Sequence, residues 1–128
     1  LIWPEHKERL ETFESAVKQL RLTPPKLIEG DGVALLSEIA KDIPKDTTIC
    51  IFYTHVANQM PSEVKRELMS KVNEIGTKRD VFHIYNNMDD QKLHVDSIIN
   101  GAARTNTVGE TDGHARWFDW NLPENVRM

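Results

Sequence analysis

A run of five apolar residues, Ile49-Cys50-Ile51-Phe52-Tyr53, constrains the fold of this chain more than any other stretch. It is rich in β-branched and aromatic side chains and has no polar alternation, which predicts a strand buried on both faces, of the kind found inside parallel sheets. Cys50 is expected to be buried with it. Thr54, His55, Asn58 and Gln59 follow directly. Polar groups at the end of a buried strand need hydrogen-bonding partners, and in open α/β sheets ligands sit just outside the carboxyl ends of the strands. The stretch therefore marks a place for binding or chemistry without naming a reaction.

The flanking segments supply the rest of an α/β pattern. Trp3-Pro4 opens a helix, because proline at the first helical position loses no needed N–H, and Glu5 and Glu8 suit its positive end. Leu10, Phe13, Val17 and Leu20 then recur at spacings of three and four, which predicts an amphipathic surface helix of about five turns. Thr23-Pro24-Pro25 ends it. Lys26-Leu27-Ile28-Glu29 is a short strand candidate, and Gly30-Asp31-Gly32 is the turn into a second helix. That helix carries Val33, Leu36, Ile39 and Ala40 on one face and stops before Pro44. Pro61-Ser62-Glu63 begins a third, with Val64, Leu68, Val72 and Ile75 facing inward and Gly76 at a left-handed terminating position. Val81-Phe82-His83-Ile84-Tyr85 is another strand, ending in Asn86-Asn87. Alternating helices and strands predict a parallel sheet with right-handed crossovers and helices on its faces. Leu93 to Ile99 is a further strand, Asn100-Gly101 suits a two-residue hairpin loop, and a return strand from Ala102 toward Trp120 is interrupted at Gly109 and Asp112-Gly113. The expected organisation is one α/β domain over residues 1–120 and a frayed tail over 121–128.

Composition excludes several function classes. With 128 residues and 39% hydrophobic content, the chain is expected to make one ordinary globular domain. Its net charge of -4, with basic residues interleaved among acids, leaves no footprint for nucleic acid or an anionic membrane surface. A single cysteine rules out a disulfide framework and makes a reducing cytoplasm the default compartment. No apolar run approaches the roughly 18 residues of a membrane span. Because the first residue is Leu1 rather than methionine, the chain is expected to be a piece of a longer protein. The five histidines, His6, His55, His83, His94 and His114, show no paired spacing, so no metal is expected, and no GxSxG elbow supports serine catalysis. His83, inside a strand, reads as a hydrogen-bonded core residue.

Parallel strands with helical crossovers that finish in an antiparallel hairpin resemble the C-terminal part of the class I methyltransferase architecture. That resemblance implies a Rossmann-like three-layer sandwich whose mostly parallel sheet ends in an antiparallel hairpin. Ile2-Trp3-Pro4 with Arg9, Glu29-Gly30-Asp31, Tyr53-Thr54-His55-Val56 with Gln59, and His114-Ala115-Arg116-Trp117 with Trp120 resemble, in that order, the second half of the bacterial proteins grouped as domain-of-unknown-function family 2332. Ala115 departs from the family pattern, which favours glycine there. The resemblance implies possible S-adenosylmethionine-dependent methyl transfer in the complete protein, with Asp31 accepting a hydrogen bond from the adenine amino group. It also places the glycine-rich turn upstream, so this segment alone is expected to be inactive and to bind no S-adenosylmethionine. The methyltransferase strand order sets two more strands between the Lys26 strand and the Thr48 strand. Either the Lys26 strand moves in beside the Thr48 strand, or another copy of the chain covers an exposed parallel edge, and self-association is expected.

Each candidate residue has a plainer alternative. Asp31 caps a helix equally well, since it precedes an apolar periodic run. His55 and Asn58 are the candidate catalytic pair, with the imidazole as general base toward a small-molecule or protein acceptor, or they satisfy loop carbonyls. Asn86 and Asn87 border the same cleft as candidate substrate contacts, and both are ordinary turn formers. His114 and Arg116 share a face of the last strand, where Arg116 binds a substrate carboxylate or makes an edge-strand salt bridge. The alternative to an enzyme is a noncatalytic Rossmann-like binding or assembly module.

Overall fold

The computed structural model describes residues 5–113 and 116–121. The chain divides into two units, Leu1–Gly30 and Asp31–Met128. In the first, α1 spans Lys7–Leu22 and ends at Thr23, whose N–H bonds back to Gln19 O. None of its residues is buried. Trp3-Pro4, expected to open this helix, lies outside the described residues. Lys26 to Glu29 forms no strand, contrary to expectation.

The second unit packs two helices on a mixed five-stranded sheet. Asp31 caps α2 (Gly32–Asp42), which buries Val33 and Ala40; α3 (Ser62–Gly76) buries Leu68, Val72 and Ile75. These are the faces their apolar spacing predicted. The strands are β1 (Ile49–Tyr53), β2 (Val81–Tyr85), β3 (Leu93–Ile99), β4 (Ala102–Arg104) and β5 (Thr107–Gly109). Their order is β1-β2-β3-β4, with β5 also pairing β3. Only β1 and β2 are parallel; β3 runs antiparallel to β2, β4 and β5.

Four expectations are corrected here. The sheet is mixed rather than mostly parallel, because a parallel crossover needs about a dozen residues or more and the link over 86–92 is too short to provide one. The central strand is β2, whereas β1 is at the margin of the sheet. Nor is β1 covered on both faces: Ile49, Ile51 and Tyr53 face the core, while Cys50 is exposed and Phe52 is 72% exposed. Gly76, finally, is not a left-handed terminator, since its backbone stays within α3. A Cβ there would meet Ile98 Cδ1 at 2.3 Å, and this close packing of α3 on β3 is what requires glycine.

Both helices cover one face of the sheet, where Val33, Ala40, Leu68, Val72 and Ile75 pack on Ile49, Val81 and Tyr85. The opposite face gathers Leu93, Val95 and Val108 with Phe82 and Ile84. Arg79, at the entrance to β2, ties the end of α2 to the sheet by donating to the carbonyls of Ala40 (3.3 Å), Ile43 (3.0 Å), Pro44 and Thr47. The Asn100-Gly101 hairpin joins β3 to β4 as expected, with both residues at positive φ. The expected single return strand is instead β4, β5 and an isolated bridge between Thr111 and Phe118. Gly109 marks one break, because a Cβ there would lie 2.3 Å from Asp119 Cβ.

Candidate functional site

Parallel pairing of β1 and β2 brings their carboxyl ends side by side, with Tyr53 opposite Tyr85. Thr54-His55 and Asn86-Asn87 therefore leave the sheet together, and the structure joins them. His55 holds a left-handed backbone, φ 55°, and its N–H donates to Asn86 Oδ1 at 2.7 Å. Asn86 is 1% exposed, and its Nδ2 lies 3.3 Å from Thr111 Oγ1, which in turn donates to Gln91 O at 2.9 Å. Asn87, also left-handed at φ 59°, places Nδ2 3.1 Å from His55 Nδ1. Lys65 of α3 fastens the same turn by donating to Met88 O and, at 3.5 Å, Asn87 O.

Both ring nitrogens of His55 therefore lie against side-chain amides. Asn86 Nδ2 faces the second ring nitrogen, Nε2, at 3.5 Å. A neutral imidazole has one accepting nitrogen, so the tautomer sets which of the two amide contacts is a hydrogen bond.

Asp31 lies elsewhere. Its Oδ1 accepts from Val33 N (2.9 Å) and Ala34 N (2.8 Å), the geometry of a helix cap, and Oδ2 has no partner among the described residues. It also sits on the wall of a cleft of about 440 Å³, otherwise lined by apolar side chains including Leu36, Tyr53, Val56 and Met60. His55 and Asn58 do not line this cleft. Asn58, on the short 3-10 helix Ala57–Gln59, is exposed and makes no side-chain hydrogen bond among the described residues. Arg116 forms a bidentate ion pair with Asp112, Nε to Oδ2 at 3.1 Å and Nη2 to Oδ1 at 2.9 Å, which raises its pKa further. His114 lies outside the described residues. The predicted residues thus separate into a braced cluster of His55, Asn86 and Asn87, the Asp31 cleft, and two side chains in neither.

A second group was not singled out from the sequence. Under the helices, the strand register sets Tyr53 beside Tyr85 and His94, and His83 beside Asp96. Tyr85 donates to Asp96 Oδ2 at 2.9 Å, Tyr53 OH meets His83 Nε2 at 2.9 Å, and His94 stacks on Tyr85 with ring centroids 4.9 Å apart. His83 is 2% exposed, with no partner for Nδ1 among the described residues. Burial pulls its imidazole down to about 4, with His94 adding to the effect and Asp96 opposing it. Burial and the Asp96 carboxylate push the Tyr53 and Tyr85 hydroxyls upward. The signal for this group is polar residues at alternate positions of three strands, which becomes a cluster only when register is known. Among the described residues, no group of three or more His, Cys, Asp or Glu side chains converges to hold a metal ion.

Residues 1–120 match the family described as uncharacterized protein conserved in bacteria, DUF2332. The chain belongs to that family. No curated protein and no solved structure matches this DUF2332 chain. Among its described residues no helix is long and apolar enough to cross a membrane.

Proposed function

We propose that this DUF2332 chain carries one wall of an adenosyl-cofactor pocket in a Rossmann-like protein that transfers a methyl group from S-adenosylmethionine. The observation that supports this reading most is the Asp31 cleft: a largely apolar slot at the carboxyl end of β1 with Asp31 on its wall, whose Oδ2 has no partner among the described residues. A flat ring with an exocyclic amino donor, such as adenine, suits that combination. S-adenosylmethionine, when bound, supplies an electrophilic methyl group. The residues of this chain bind and orient: Asp31 Oδ2 accepts from the amino group, and Leu36, Tyr53 and Val56 exclude water. Asn58 and His55, which follow β1, stand on the acceptor side in this reading.

Saturation-transfer NMR with millimolar adenosine on the 128-residue chain tests the cleft. Transfer from cleft methyl groups is expected, and it is lost in Asp31→Asn, which keeps the helix cap but puts an amide donor where the free oxygen was. Transfer unchanged in Asp31→Asn, or none in the wild type, overturns the assignment. S-adenosylmethionine itself is expected to fall short of micromolar affinity by calorimetry.

The amide groups packed against both ring nitrogens of His55 favour a second reading, a noncatalytic binding module. Nitrogen NMR separates the two. An Nε2–H tautomer leaves no nitrogen as a base and favours the module, whereas an Nδ1–H tautomer frees Nε2 as a base and favours the enzyme.

A further inference from the structure

The open margin of the sheet is built to pair with itself. Ile49 N–H donates to Asp80 O at 3.1 Å, which turns the backbone groups of Ile49, Ile51 and Tyr53 toward β2. Those of Cys50 and Phe52 therefore point outward, where β1 has no neighbouring strand among the described residues. Their side chains lie on the face away from α2 and α3, and Phe82 and Ile84 stand beside them across the ladder. An apolar strip thus runs from the margin into the sheet.

Natural edge strands carry charges, prolines or bulges that block further pairing. Residues Thr48 to Thr54 contain none of these. The far side of the sheet differs: β4 is only three residues long and includes Arg104.

We propose that β1 pairs antiparallel with β1 of a second copy across a two-fold axis through Ile51. Among pairings between copies, only this one closes. A parallel partner would repeat the contact head to tail and leave a new open edge, whereas a two-fold axis exhausts it. The register also follows from the chain. Outward backbone groups must face each other, and among the registers that allow this the one centred on Ile51 pairs all five residues of β1, with Cys50 of one copy opposite Phe52 of the other and Ile51 opposite Ile51. Thr48 then meets Thr54, a favourable cross-strand pair. The nearest charged residues in the chain before β1, Lys45 and Asp46, fall opposite Ala57 and Val56, so no like charges are opposed. The strips of Cys50, Phe52, Phe82 and Ile84 from both copies merge into one apolar band.

Light scattering and sedimentation from low micromolar to near-millimolar concentration test this on the 128-residue chain. A dimer is expected, with hydrogen-exchange protection at the Cys50 and Phe52 amides that rises with concentration. Phe52→Lys should weaken it by about a hundredfold, since each dimer loses two buried phenylalanines. Phe52 is exposed in the single chain, so the variant should keep its circular dichroism and, at dilutions where the wild type is monomeric, its melting temperature. Phe52→Cys, by contrast, sets a thiol opposite Cys50 of the other copy and should give a disulfide-linked dimer on oxidation. A monomer at every concentration, a dimer indifferent to Phe52→Lys, or unprotected Cys50 and Phe52 amides in the dimer would each overturn the proposal.

Discussion

Gly76→Ala sets two effects against each other, and the structure says which prevails. In an unencumbered helix, alanine in place of glycine stabilises by at most about 1 kcal/mol. At Gly76 the new Cβ would lie 2.3 Å from Ile98 Cδ1 and 2.9 Å from Ile98 Cβ and Cγ2. The Cδ1 tip can swing aside and Cγ2 moves with χ1, but Cβ is fixed by the backbone of β3, so α3 itself must lift. Overpacking of this kind costs about 1–3 kcal/mol. The net expectation is a destabilisation of about 1–2 kcal/mol, read as a lower urea midpoint at unchanged slope. Neighbouring substitutions sharpen the test. In an Ile98→Val background Cδ1 is gone but Cβ and Cγ2 remain, so the loss from Gly76→Ala should shrink without vanishing. In Ile98→Ala, which also removes Cγ2, it should shrink further, to what the 2.9 Å approach of the remaining Cβ costs. A neutral or stabilising Gly76→Ala, or an equal loss in all three backgrounds, would refute the reasoning.

The buried His83 makes stability depend on pH. Its folded pKa, about 4, lies below the unfolded value of 6.5, so the unfolded chain binds more protons between them. The stability this represents is fully present above about pH 6.5 and is lost as pH falls toward 4, by roughly 2–3 kcal/mol at 1.36 kcal/mol per pH unit. Denaturant titrations at several pH values should show that slope in the wild type and a much flatter one in His83→Gln; equal slopes would place the titration elsewhere. Arg79→Lys should cost about 1–2 kcal/mol and Arg79→Met about 2–4, because a single ammonium cannot span the carbonyls of Ala40, Ile43, Pro44 and Thr47 and a thioether meets none of them. Thermal melts in which the lysine variant matches the wild type would show that the fork is dispensable.

Periodicity carried most of the elements and little of their arrangement. The bounds of β1, β2 and β3, and the inner faces of α2 and α3, follow from apolar spacing because burial on one side imposes it. Position within the sheet does not. Ile49 to Tyr53 and Val81 to Tyr85 read alike, yet β1 leaves Cys50 and Phe52 open while β2 is flanked on both edges. An unbroken apolar run fits a strand with two covered faces and equally one whose second face awaits a partner. The antiparallel turn to β3 was legible, since residues 86–92 leave no room for a crossover helix, but the repeating helix and strand pattern outweighed that signal. Glycine was ambiguous in another way: at Gly76 a helix end and a close approach both call for it, and only the Ile98 distances separate them. Asp96 could not be read at all, because its partner Tyr85 is eleven residues away along the chain and meets it only through the register of β2 and β3.

The candidate site was legible in its residues but not in their dependence on one another. His55 and Asn87 both hold backbones that non-glycine residues adopt at a cost of about 1 kcal/mol or more, and they persist only where the surroundings over-determine them. Here the surroundings are Asn86, whose buried amide accepts the His55 N–H, and Lys65, which holds the carbonyls of the turn. Neither is free to meet a ligand: Asn86 is 1% exposed, and the Lys65 ammonium is already bound. Both act by fixing the turn that carries the imidazole. By the same logic Asn86→Ala should weaken any ligand that uses His55 while leaving the Asp31 cleft untouched, since the two share no side chain.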